Sequence, residues 1–129
     1  MDGPAFLAKV ARYRQDGFRL VMVNATAVTR ANGDGGGDGG AVELTWSFEK
    51  AGRLEHVREL VTEADEVPSI TSSFPSAYLA ENEMRELFGV RMTGLSVDLD
   101  GQLYQTSSKV PFSSKAIRAR LEERRGKKP

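Results

Sequence analysis

The sequence predicts an α+β fold, a single layered domain in which an antiparallel sheet of three to five strands has helices packed on it. Three observations lead there. Residues 18–29 and 42–49 have the β-branched and aromatic composition of strands, a glycine-rich stretch between them has the composition of a hairpin loop, and residues 75–90 follow a helical period. At 129 residues and 14.1 kDa the chain makes one domain, 1–129, able to bury roughly two thirds of its unfolded surface.

In chain order, Asp2 caps a first helix with Pro4 in its opening turn. Phe6, Leu7, Val10 and Ala11, with Tyr13 or Arg14, keep its period until Gly17 stops it. Residues 18–29 alternate in part, whereas 42–49 alternate cleanly: Leu44, Trp46 and Phe48 fall on one face and Glu43, Thr45, Ser47 and Glu49 on the other. One face is therefore buried and one wet. The loop 31–41 holds six glycines between Ala31 and Gly40, with Asp34 and Asp38 among them. A phosphate-cradling loop would need a following helix and a Lys-Ser/Thr pair, and neither is there. Calcium-binding glycine repeats need stacked neighbours, which leaves a flexible tip.

Ala51-Gly52-Arg53 turns the chain. Leu54, Val57, Leu60 and Val61 then show helical spacing along with strand composition, and the pattern alone favours a helix. Residues 63–66 are an acidic turn, and Pro68 opens a short helical turn before Pro75. Residues 90–95 and 99–104 read as short edge segments joined by a turn at 98–101. Ser113 or Ser114 caps a last helix over 115–125, with only Ile117 and Leu121 as an apolar line. This basic C-terminal helix and tail, 113–129, is either a solvated helix or a docking arm for an acidic surface.

Composition excludes several chemistries. Lys+Arg 18 balances Asp+Glu 18, so net charge argues for neither nucleic acid nor an anionic membrane as the main partner. With Cys 0 and His 1 the chain has no thiolate nucleophile, no iron–sulfur ligand set and no zinc site of its own. No cofactor is expected in this chain. No apolar run reaches the ~20 residues that span a bilayer, and the absence of a basic, then apolar N-terminus argues against secretion.

The most informative stretch is 75–90. Ala77, Ala80, Met84, Leu87 and Phe88 form one stripe of a helix from about Ser76, its expected cap, to Phe88, with Gly89 ending it in the left-handed conformation. Glu81 and Glu83 fall on opposite edges of that stripe, Glu86 points away from it, and Arg85 stands four residues after Glu81 in the order that suits an ion pair. A carboxylate at a half-buried boundary needs a donor. Three readings follow: a solvated helix, a general acid and base, or anchors for a cationic partner.

These residues also carry a resemblance. Pro68-Ser69-Ile70, Ala77, Glu81-x-Glu83, Glu86-Leu87-Phe88-Gly89-Val90 and Gly94 resemble the signature of the 30 kDa subunit of respiratory complex I, the NADH dehydrogenase of the respiratory chain. The short version of that family occurs in energy-converting [NiFe] hydrogenases. Asn82 stands where the family has Arg, Leu79 and Ala80 replace aromatics, and Leu95-Ser96 follow Gly94 in place of His-Pro, departures that favour the hydrogenase-type relatives. The motif spans about a third of the chain.

The resemblance implies a third strand over 54–62, against the helical spacing, and a strand there is the expectation because a two-stranded hairpin would be marginal. It implies a non-catalytic peripheral subunit of a membrane-bound, ion-translocating oxidoreductase, either an energy-converting hydrogenase or an NADH:quinone oxidoreductase. Its partners would be the 49 kDa-type large subunit, which holds the [NiFe] or quinone site, and an iron–sulfur subunit. The chain would sit in a peripheral arm at the cytoplasmic face of the inner membrane, touching the membrane only through those subunits. Glu81, Glu83, Glu86, Phe88 and Gly89 are the candidate partner-binding residues. The competing readings are a free-standing acid–base enzyme using Glu83, Glu86 and His56, and a nucleic-acid binder using the basic C-terminal helix.

Overall fold

The computed structural model describes residues 1–28 and 40–99. Most of the glycine-rich loop 31–41, all but the first residue of the edge segment 99–104, and the basic helix and tail 113–129 lie outside the described residues.

Helix α1, Gly3–Gln15, begins as expected: the Asp2 carboxylate accepts from Ala5 N at 3.0 Å, and Gly17 leaves the helix at φ 86°. Its Phe6 and Val10 are buried. Strands β1, Arg19–Val28, β2, Ala41–Lys50, and β3, Arg53–Val61, form an antiparallel sheet in the order β1-β2-β3. β2 is central and keeps its alternation, with Leu44, Trp46 and Phe48 at 0–1% exposure.

The incomplete alternation of β1 has a local cause. Leu20 faces Phe48 and Met22 faces Ser47, so Val21 is the extra residue of a β-bulge, and both Val21 and Met22 are exposed. The hairpin between β2 and β3 turns on two residues only, Ala51 at φ 51° and Gly52 at φ 82°, the left-handed pair a tight hairpin demands.

Residues 53–61 are a strand, not the helix their spacing favours. Val57 and Val61 are four apart, which fits a helical turn and a strand period equally, and pairing with Trp46 and Val42 decides it. Leu54 and Leu60, which a helix would have shared with them, lie on the open outer face.

Beyond the sheet the expectations need correction. Residues 66–68 form a short strand, β4 (Glu66–Pro68), between the acidic turn expected at 63–66 and the short helical turn expected before Pro75, which forms at 70–74 with Ser73 N and Phe74 N donating to Ile70 O at 3.0 and 2.8 Å. The edge segment after Gly89 supplies β5 (Arg91–Thr93), which pairs with β4 in parallel as a separate two-stranded unit and does not extend the antiparallel sheet. A 3₁₀ turn at Pro75–Ala77 leads into helix α2, Tyr78–Phe88. Ser76 lies inside that turn and caps nothing, because the chain is already helical when it reaches the first orphan N–H groups.

The core lies on one face of the sheet. Phe6 of α1 packs on Trp46 with ring centroids 4.6 Å apart, and Tyr13 stacks on Phe48 at 4.4 Å. Phe74, just ahead of the 3₁₀ turn, meets Phe48 at 5.2 Å. The central strand thus gathers both helical segments onto its Trp46 face, with Ala77 and Met84 completing the cluster.

Candidate partner interface

Helix α2 is held at its C-terminal end by backbone chemistry. Gly89, at φ 74°, donates to Arg85 O, and Val90 N donates back to Met84 O, so these two carbonyls near the helix end are satisfied. At 100° per residue, Ala77, Glu81, Met84 and Phe88 fall on the side toward the core, while Leu79, Glu83 and Glu86 fall on the opposite side.

Glu81 is not at a half-buried edge. It is 0% exposed, and its Oε1 accepts from Ile70 N at 2.7 Å. Oε2 is equally buried and has no hydrogen-bond partner. Burial pushes its pKa above the ordinary carboxylate range, against smaller downward pulls from the Ser69 side chain and the Ile70 N–H. This bond ties the two parts of the signature together, since Pro68-Ser69-Ile70 crosses over α2 at the first glutamate. The ion pair expected between Glu81 and Arg85 does not form, because Glu81 faces inward and the Arg85 guanidinium donates to Asp98.

Asn82, 2% exposed, gained no role from the sequence beyond its departure from the family's Arg. Its Nδ2 donates to Tyr78 O at 2.8 Å and to Val97 O at 2.7 Å, and its Oδ1 accepts from Leu99 N at 3.0 Å. The amide therefore fastens residues 97–99 against the helix. A polar residue beside an apolar stripe was the available signal, but two of its three partners lie fifteen and seventeen residues away.

Glu83 is half-buried and forms no hydrogen bond or ion pair among the described residues. Arg91, a conceivable partner, is engaged with Glu66 at 3.2 Å. Glu86 is half-buried on the same outward side, two turns along the helix from Leu79, which is 45% exposed. Phe88 is half-buried and packs on the edge of the core, less enclosed than the stripe implied.

His56 does not join these glutamates. It lies opposite Ser47 on the outer face of the sheet, and Ser47 Oγ sits 2.8 Å from its Nδ1. α2 packs over the other face, so the sheet stands between His56 and the pair Glu83 and Glu86. The three groups of the acid–base reading are therefore not assembled. Among the described residues no cluster of three or more acidic or histidine side chains is placed to hold a metal, and no helix is long and apolar enough to cross a membrane.

The arrangement is that of an α+β scaffold presenting one face of a helix, and comparison with known families identifies its kind. The family model described as respiratory-chain NADH dehydrogenase, 30 Kd subunit, matches residues 4–112. The chain belongs to that family, and it is accordingly a subunit of a multisubunit assembly of the NADH dehydrogenase type. No curated protein matches the chain.

Proposed function

We propose that this chain is a non-catalytic subunit that docks on the large, 49 kDa-type subunit of its complex and helps hold the electron-transfer chain together. In this reading the metal clusters or quinone belong to the neighbouring large and iron–sulfur subunits. The chain sits in the peripheral arm at the cytoplasmic face, and the departures at Asn82 and after Gly94 favour an energy-converting hydrogenase over an NADH:quinone oxidoreductase.

The observation that supports docking is Glu83. A half-buried carboxylate without a countercharge is costly in a free domain, and a cation supplied by a partner removes that cost. Glu86 lies on the same face, with Phe88 and Gly89 at the helix end. Glu81 takes another part, because its carboxylate is enclosed by its own domain and reaches no surface.

Affinity capture of the tagged chain from membranes tests the proposal. The wild-type chain should bring down the large and iron–sulfur subunits, and Glu83→Gln, milder than a truncation, should weaken the association by an amount approaching about 2–5 kcal/mol while the domain stays folded. Undiminished capture with Glu83→Gln at moderate salt would remove Glu83 from the interface. Capture with no oxidoreductase subunit at all would defeat the proposal.

A further inference from the structure

The outward side of α2 does not end at the helix. Asn82 holds residues 97–99 alongside it through two hydrogen bonds, to Val97 O at 2.7 Å and from Leu99 N at 3.0 Å, while its third bond returns to Tyr78 O of the helix, all from a side chain that is 2% exposed. That geometry sets Val97, 43% exposed, next to Tyr78, 40% exposed, with Leu79, 45% exposed, one residue further along the helix. Three exposed apolar residues thus lie around the start of α2, with the Glu83 carboxylate one turn on from Leu79.

The same segment also changes the charge of this surface. Arg85 is the one basic residue of α2, and the segment brings Asp98 to its guanidinium. The helix cation is thereby neutralised, while Glu83 keeps a carboxylate with no countercharge among the described residues. An apolar patch bordered by the Glu83 carboxylate fits an occupant that is apolar and cationic together.

We infer that residues 97–99, positioned by Asn82, complete a docking surface with Leu79 and Glu83, and that its occupant is a partner-subunit segment presenting an arginine or lysine beside a large apolar side chain. The inference rests on the subunit reading above and adds to it the composite nature of the surface and the chemistry it receives. Asn82 acts as a positioning residue here. Its side chain is enclosed, and it works by where it keeps Val97.

The test is site-specific photocrosslinking in the full chain within its own membranes. A photoreactive phenylalanine analogue replaces Leu79 in one variant and Val97 in another, and the captured peptides are sequenced. Both positions should capture the same peptide of one partner subunit, and that peptide should contain a lysine or arginine next to a large apolar residue. Glu83→Lys should lower both yields at least about tenfold, equivalent to about 1.4 kcal/mol, and changing the captured cation to Glu should restore them. Asn82→Asp, which sets a carboxylate against two carbonyl oxygens, should abolish capture from Val97 and leave capture from Leu79.

Different partners at the two positions, a peptide without a basic residue, or failure of the charge exchange to restore capture would overturn the inference. Should Asn82→Asp fail to fold, the Leu79, Val97 and Glu83 variants still decide it, since they alter exposed or half-buried positions. If the chain co-purifies with its complex while neither position captures anything, the surface is wrong and the subunit reading stands. If it co-purifies with no oxidoreductase subunit, that reading falls first.

Discussion

Replacing Glu81 by Gln should stabilise the domain at neutral pH, although it removes a charged residue from the family signature. In the native fold Oε1 accepts from Ile70 N at 2.7 Å, and Gln keeps an oxygen for that bond. Oε2 is buried without a partner, so ionised Glu81 leaves one charged oxygen desolvated and unsatisfied. An unsatisfied buried polar group costs about 1–3 kcal/mol, and more when charged. The sign with pH follows from the raised pKa. The folded state holds the Glu81 proton more tightly than the unfolded chain, so stability falls as pH rises from the unfolded value, about 4.3, through the higher folded value. Gln has no such loss. The advantage of Glu81→Gln should therefore be small near pH 4, grow across that window, and level off at about 1 kcal/mol, the low end of that range, because the neutral Gln amide nitrogen takes the same unpartnered place as Oε2. Urea unfolding of both proteins at a series of pH values reads this directly from the midpoints. A constant offset across the whole range, or a Gln variant less stable than wild type at neutral pH, would mean that Oε2 is satisfied and that the charge is not strained.

Phe88→Ala should cost about 1.5–3 kcal/mol, below the roughly 3–5 kcal/mol of a fully enclosed ring, because Phe88 only borders the core; an unchanged unfolding midpoint would place the ring on a partner surface. Ala51→Asn should raise stability by about 0.5–1 kcal/mol, since Asn tolerates φ 51° ahead of Gly52 better than Ala does; a lower melting temperature would refute the strain assigned to that turn.

The parts of the fold legible in the sequence are those where local chemistry and tertiary packing agree. Asp2, Pro4 and Gly17 bound α1 by backbone hydrogen-bonding needs that hold wherever the helix sits. Alternation in β2 survives because β3 pairs with it without interruption across Leu44, Trp46 and Phe48, and the one irregularity in its pairing with β1 is taken up by the extra residue Val21 on β1. Residues 53–61 were ambiguous because a four-residue spacing satisfies two periods, and only the pairing partner across the hairpin resolves them. β5 lies in the edge segment expected at 90–95, but β4 and their parallel pairing left no local sign, since each strand is three residues long and its partner is more than twenty residues away.

The candidate site shows the same limit on a finer scale. Glu81 and Glu83 are the same residue type two positions apart, and two positions on a helix are about 200° of rotation. When one side of such a helix packs on a core, the two carboxylates cannot serve the same end. Which one turns inward depends on a modest rotation about the helix axis, and an apolar stripe of Ala77, Ala80, Met84, Leu87 and Phe88 is broad enough to permit either. Ile70 decides it. Its N–H, at the crossing of the 68–70 segment over α2, has the Glu81 carboxylate as its acceptor, and bonding it fixes the rotation. With Glu81 committed to the interior, Glu83 is turned to the side where α2 meets whatever the complex places against it. The signature therefore combines a fastening group with a presenting group, and mutating each should have a separable effect: Glu81 on the pH dependence of folding, Glu83 on assembly.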